Sequence, residues 1–256
     1  MPHPRAAVRA APRGRTFSRV ACALLLCSTP VAAGPPYATD DPEPVEYRHW
    51  EFYVATHRLL DHDGDSGTAP HFEVNYGVVR DLQLHLVVPL AYARPDVGPA
   101  ERGLGDIELG AKLRFRDEGP GRPMMGIFPL LVLPTGDAGN GLGTGHVHAF
   151  VPLWIQRSLG PWTTYGGGGY GWNPGDGNRN WWFAGWLAQR RLSKAATLGG
   201  EVFRQTPDRI GGSGDTRFNL GLVLDFGERH HLLLSAGRSL AGDVRLEGYA
   251  AYQLTL

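Results

Sequence analysis

Between Gly103 and Arg116 the chain reads GLGDIELGAKLRFR and changes character at every residue. Ile107, Leu109, Ala111, Leu113 and Phe115 point one way, while Asp106, Glu108, Gly110, Lys112, Arg114 and Arg116 point the other. A helix would scatter such a set around its axis, because apolar residues at every second position miss the i, i+3, i+4 stripe. The stretch predicts a β-strand with one apolar and one charged face. In a soluble sandwich the charged face would meet water. In an outer-membrane barrel it would line the lumen, and the apolar face would meet lipid.

The same alternation recurs along the chain. It predicts strands over 47–57, 71–79, 82–92, 103–116, 124–133, 146–156, 162–172, 181–192, 197–205, 217–226, 231–238 and 244–256. These are about 12 segments near the 9 to 11 residues that a tilted membrane strand needs. Short turns such as Arg80-Asp81 alternate with longer polar or Gly-rich connections at 60–70, 93–102, 134–145, 173–180 and 207–216. That rhythm fits an antiparallel transmembrane β-barrel with short periplasmic turns, longer outer loops and both termini in the periplasm. Tyr92, Trp172, Trp181, Trp182 and Phe218 would form an outer aromatic girdle, and Phe115, Trp162, Phe226 and Tyr252 an inner one. Pro89, Pro129 and Pro152 fall inside predicted strands, where a closed barrel offers no free edge, and bulges are expected there.

Residues 1–33 read as a secretory signal peptide. Five arginines from Arg5 to Arg19 precede a short apolar run, Val20–Leu26, and Val31-Ala32-Ala33 offers a small-residue cleavage site. Both cysteines, Cys22 and Cys27, lie in this leader, so the mature chain would have neither disulfides nor a cysteine metal site. Residues 34–46, GPPYATDDPEPVE, read as an extended periplasmic lead-in, and 47–256 as one barrel domain. Lysine plus arginine and aspartate plus glutamate both number 25, which argues against a nucleic-acid partner. The 36 glycines and 20 prolines favour turns over long helices.

The inward faces carry Glu73, His85, Asp106, Glu108, Lys112, Arg114, His146, His148, Arg217, Asp225, Arg245 and Glu247. Charges of both signs in a lumen predict a network that pairs structurally or lines a permeation path. His146 and His148 share a face but lack a third ligand at matching spacing, so no metal or other cofactor is expected. Gly166–Gly169 is not a phosphate cradle, since no helix or lysine follows it. The run relieves crowding in a curved strand or gives room to a ligand or plug. On this assignment Leu109→Arg or Leu222→Arg on the lipid face costs about 2–4 kcal/mol near the midplane. Lys112→Ala on the lumen face should cost much less.

The run Gly103-Leu104-Gly105-Asp106, the strand end Lys112-Leu113-Arg114-Phe115, and Leu133-Pro134-Thr135-Gly136-Asp137 followed by Gly141-Leu142-Gly143-Thr144-Gly145 resemble an outer-membrane family. It is the family of proposed transporters of the meta-pathway of phenol degradation. The resemblance covers most of the mature chain and implies a single-chain barrel that passes small apolar or aromatic compounds across the outer membrane, with no catalytic residues. Outer-membrane lipid and such a solute are the expected partners. A barrel hydrolase or acyltransferase acting on envelope lipid is the alternative from the enzyme class, and a structural barrel without transport is the third. The enzyme reading finds no G-x-S-x-G, and Ser235 has no inward histidine at a spacing that defines a dyad.

Overall fold

The computed structural model describes residues 36–256. The expected signal peptide and its cysteines lie outside these residues. Most of the described chain is antiparallel strand: β1 Trp50–Leu60, β2 Gly64–Val79, β3 Leu82–Pro95, β4 in two segments (Glu101–Leu104 and Ile107–Arg116), β5 in two segments (Met124–Ile127 and Leu130–Leu133), β6 His148–Leu159, β7 Trp162–Trp172, β8 Trp181–Ser193, β9 Ala196–Gln205, β10 Asp215–Asp225, β11 His230–Ala241 and β12 Leu246–Thr255. Both segments of β4 pair with β3, and both segments of β5 pair with β6, so each is one interrupted strand and the wall has twelve.

The wall closes on itself. β1 pairs with β12 from Glu51↔Thr255 to Leu60↔Leu246, and Trp50 and Leu256 exchange backbone bonds of 2.8 and 2.9 Å. Closure leaves no strand edge to be satisfied by solvent, which is the condition for crossing hydrocarbon with strands. The two faces differ as the alternation requires. Val54, Phe72, Leu84, Leu90, Leu109, Val151, Trp186, Leu198 and Leu220 are exposed on the outside, whereas Glu73, Asn75, Gln83, His85, Lys112, Glu201, Asn219 and Gln253 are buried inside. A soluble protein would arrange these sets the other way round. This is a barrel of the bacterial outer membrane.

Local departures have local causes. The expected long connection over 60–70 is a short turn, because Gly64–Thr68 pairs with both β1 and β3 and lengthens β2. The register slips between Thr68 and His71, opposite Pro89, which is the bulge expected at that proline. Pro129 breaks β5, and the break faces Pro152 of β6, so the two residues without an amide donor meet at one gap in the ladder. No register slip accompanies Pro152. Trp181 is not a girdle residue. It shares the inward parity of buried Phe183 and stacks on Phe150 with ring centroids 4.9 Å apart.

Sidedness is open to a direct check. An epitope tag after Gly139 or Gly175 is expected to bind antibody on intact cells, and one after Gly119 or Gly227 only on lysed cells. The opposite labelling would invert the barrel. Gly64 is unsuitable for such a tag, since it is paired with Pro95 inside the wall.

Candidate functional site: a lumen with an insert and an aromatic wall

Residues 36–46, expected to be a periplasmic lead-in, instead lie inside the barrel. Nothing in their composition forces them into solvent once the lumen wall offers partners for each polar group. Glu201 of β9 accepts from the amides of Ala38 (2.9 Å) and Thr39 (2.8 Å), and Asn219 of β10 donates to the same carboxylate at 2.7 Å. Lys112 of β4 donates to Asp40 at 3.0 Å and lies 3.9 Å from Asp41. Gln83 of β3 accepts from the Val45 amide (2.8 Å), Gln156 of β6 donates to Glu43 (3.3 Å), and Ser235 of β11 donates to the Pro36 carbonyl (2.6 Å). The insert therefore spans the lumen and touches strands around most of the ring. Thr39 and Asp41 have no exposed surface at all.

Shape matters as much as charge. Gly199 and Gly221 are paired neighbours on β9 and β10, and the Tyr37 ring lies over both; a methyl group at either would run into it. These inward glycines are the seat of the insert. The run Gly166–Gly169 serves another purpose. Gly167 and Gly169 face inward on β7, and a Cβ at either would strike the backbone of β6 (the Leu153 carbonyl at Gly167, Pro152 and the Val151 carbonyl at Gly169) as well as the rings of Trp154 and Phe150; one at Gly171 would meet the Trp181 ring. Of the two readings open for that run, crowding relief describes it, because the crowding comes from the barrel's own strand backbones and aromatic rings.

Those rings form a continuous apolar wall. Phe128, Trp154, Phe183 and Phe203 are buried together, with Leu130, Phe150 and Trp181 packed against them. Phe183 stacks on Phe203 (5.6 Å) and meets Trp154 edge-on at 6.1 Å. Phe150, Trp181, Phe183 and Phe203 sit in the half of their strands nearer the long loops, whereas Gln83, Lys112 and Gln156 grip the insert in the half nearer the termini. The lumen thus has an aromatic upper wall and an insert beneath it.

The twelve residues expected to form a single charged network separate into groups. Glu73, His85 and Glu108 belong together: His85 lies 3.1 Å from Glu108, 3.6 Å from Glu73 and 2.7 Å from the Asn75 amide oxygen. His85 also meets the edge of Phe128 at 5.2 Å, which joins this polar patch to the aromatic wall. Lys112 holds the insert. Arg217 pairs with Asp215 (2.9 Å) and Glu247 (3.4 Å), and His57 lies 3.2 Å from Glu247. Asp225 meets His231 at 2.7 Å near the terminal end. Arg114 is bound to Asp81 and Asp117 at the turns of that end. Arg245 is exposed and reaches the Asp61 carbonyl at the loop end, so it is not a lumen residue.

Asp106 has a different task, set by the break in β4. It accepts from the Gly136 amide (2.9 Å) and from both the amide and the hydroxyl of Thr144 (2.7 Å each), while Thr135 donates to the Gly105 carbonyl at 2.7 Å. The Gly103–Asp106 motif and the 133–145 motif are two halves of one clasp that ties the loop to the wall. His146 lies 2.8 Å from the Thr144 carbonyl and 2.7 Å from the Asn173 amide oxygen, with the His148 ring 5.7 Å away. Both histidines are thereby committed to the loop region.

The family described as "Putative MetA-pathway of phenol degradation" matches residues 67–256. The chain belongs to that family. No curated protein matches it. Among solved structures it is similar to an outer-membrane channel from Pseudomonas putida F1, at 16% identity and a TM-score of 0.68, with 84% of this chain and 98% of that chain covered. It also matches the translocator domain of the autotransporter NalP from Neisseria meningitidis (11% identity, TM-score 0.45, 81% and 86% covered). A FadL homologue from Pseudomonas aeruginosa follows at 10% identity and a TM-score of 0.40, with 83% and 75% covered. The first of these shares the fold of this chain.

Proposed function

We propose that this barrel is a channel or transporter of small apolar and aromatic solutes. The observation that carries the reading is the wall of Phe128, Phe150, Trp154, Trp181, Phe183 and Phe203, of which Phe150, Trp181, Phe183 and Phe203 lie on the loop side of the insert. A water-filled pore for polar solutes has no use for a buried run of stacked rings, whereas a planar apolar solute gains both area burial and ring contacts from it. The polar patch of Glu73, His85 and Glu108 opposite Phe128 would take a hydroxyl or carbonyl substituent of such a solute. The insert below sets a narrow path. A barrel of this strand count lies between small barrels filled by side chains and the wide porins. Membership of the family, and a fold shared with the Pseudomonas putida outer-membrane channel, point the same way.

Initial uptake of radiolabelled toluene or phenol into proteoliposomes is the test. Uptake faster than in protein-free vesicles is expected, and Phe183→Ser should slow it for toluene while leaving heat-modifiable gel mobility intact. A folded barrel that changes the uptake of no apolar solute would end the transport reading.

A further inference from the structure

On the outer wall, where β1 to β4 approach the loop end, a groove of about 660 Å³ is lined by Arg58, Asp65, Tyr92, Arg94 and Arg102 above Leu90. Register places these residues on one face. Arg58 pairs with Gly67, Gly67 with Tyr92, and Tyr92 with Arg102, so the four form one row across four strands; Asp65 and Arg94 face each other in the row towards the loops. The face is the outer one, because Leu84 and Leu90 share the parity of Tyr92 on β3 and are exposed, while Gln83 and His85 of the opposite parity are buried in the lumen.

Charge distinguishes this groove from an ordinary barrel rim. Asp65 accepts two bonds of 3.0 Å from Arg58 and one of 3.2 Å from Tyr92, and is thereby occupied. Arg94 lies over the Tyr92 ring at 5.7 Å. Among the described residues neither Arg94 nor Arg102 has a carboxylate partner. Two unpaired guanidiniums and a third held in place converge over one hollow. Two residues towards the membrane in the same columns stand the exposed, paired side chains Leu90 and Leu104.

We infer that this groove binds a phosphorylated lipid of the outer leaflet, with its phosphate on Arg58, Arg94 and Arg102 and an acyl chain along Leu90 and Leu104. The planar guanidinium fork suits a phosphate better than a point charge does. The arginines stand at the level where the apolar band ends and headgroups begin. Apolar surface directly beneath the arginines selects an amphiphile over a free anion.

The refolded full chain in neutral detergent micelles provides the test, with lipid A, a doubly phosphorylated acylated disaccharide, as probe. Its binding is read by native mass spectrometry and by the shift of the thermal unfolding midpoint. The double variant Arg94→Gln with Arg102→Gln is expected to weaken binding by about tenfold or more. Arg190→Gln, at the other end of the outer wall, should leave it unchanged. Dephosphorylated lipid A should bind the native chain no better than lipid A binds the double variant, and inorganic phosphate at equal concentration should not compete. Should the double variant fail to fold, Arg102→Gln alone gives the same reading, since Arg102 bonds to no other described side chain. Equal binding to native and variant barrels, or equal binding of dephosphorylated lipid, would overturn the proposal. Full competition by inorganic phosphate would overturn the lipid and leave an anion groove.

Discussion

Lys112→Met is expected to free the insert from the lumen. Lys112 is 3% exposed, and its ammonium is the cation beside Asp40 and Asp41, of which Asp41 has no exposed surface. Removing one partner of a buried ion pair leaves the other charged and desolvated, which costs about 3–5 kcal/mol, more than a short segment's remaining contacts readily offset. Residues 36–46 should then become cleavable by added protease, and conductance across a planar bilayer should rise stepwise, while the barrel keeps its heat-modifiable mobility. Gly199→Val or Gly221→Val should do the same by a different cause, collision with the Tyr37 ring rather than loss of charge. If correctly folded variants of both kinds kept the native conductance and resistance to cleavage, the insert would have to be held by something other than these contacts. The expectation that Lys112→Ala is cheap is corrected by the same geometry: that expectation treated Lys112 as a solvated lumen charge, and the structure makes it the anchor of the insert.

The second large effect lies on the other face. Leu109 is paired with Leu86 and Leu131, and Leu222 with Leu198 and Leu234, so each stands in an all-leucine row of the outer wall. An arginine at either position would have to place its charge in hydrocarbon, at a cost of roughly 2–4 kcal/mol if the row is near the midplane. Urea titrations in lipid vesicles should show this loss for Leu109→Arg and Leu222→Arg and nearly none for Val97→Arg, which sits on a loop and is 91% exposed. Equal losses at all three sites would mean that the outer wall does not face lipid.

Alternation made the barrel legible because lipid and lumen impose opposite demands on neighbouring residues, and the demand repeats at every second position within the strands. The insert was illegible for the same reason. Pro36–Glu46 has no period, and its composition, rich in proline and acid, suits solvent as well as a lined cavity. A signal was nonetheless present in the strands. Gly185, Gly199 and Gly221 stand at inward positions where a side chain would otherwise fill the lumen, and three such vacancies on adjacent strands imply something that fills them. Trp181 misled because a tryptophan at a strand end suits a girdle; its parity with Phe183 carried the better information. The Gly103–Asp106 and 133–145 motifs marked the family, yet their meeting through Asp106 joins residues 30 and 38 positions apart, beyond the reach of local pattern.

The insert's bonds also bear on how long the folded barrel lasts. Ala38, Thr39 and Pro36 reach partners 162 to 199 positions away in the chain, on β9 and β11 of the far part of the sequence. Such contacts form late, after the rate-limiting arrangement of the wall, and so add little to the speed of assembly. What they govern is the reverse step. A barrel with a seated insert must break these bonds early on its way out of the native state, so the segment acts as a brake on unfolding, and its loss would shorten the lifetime of the folded protein far more than it would delay its birth.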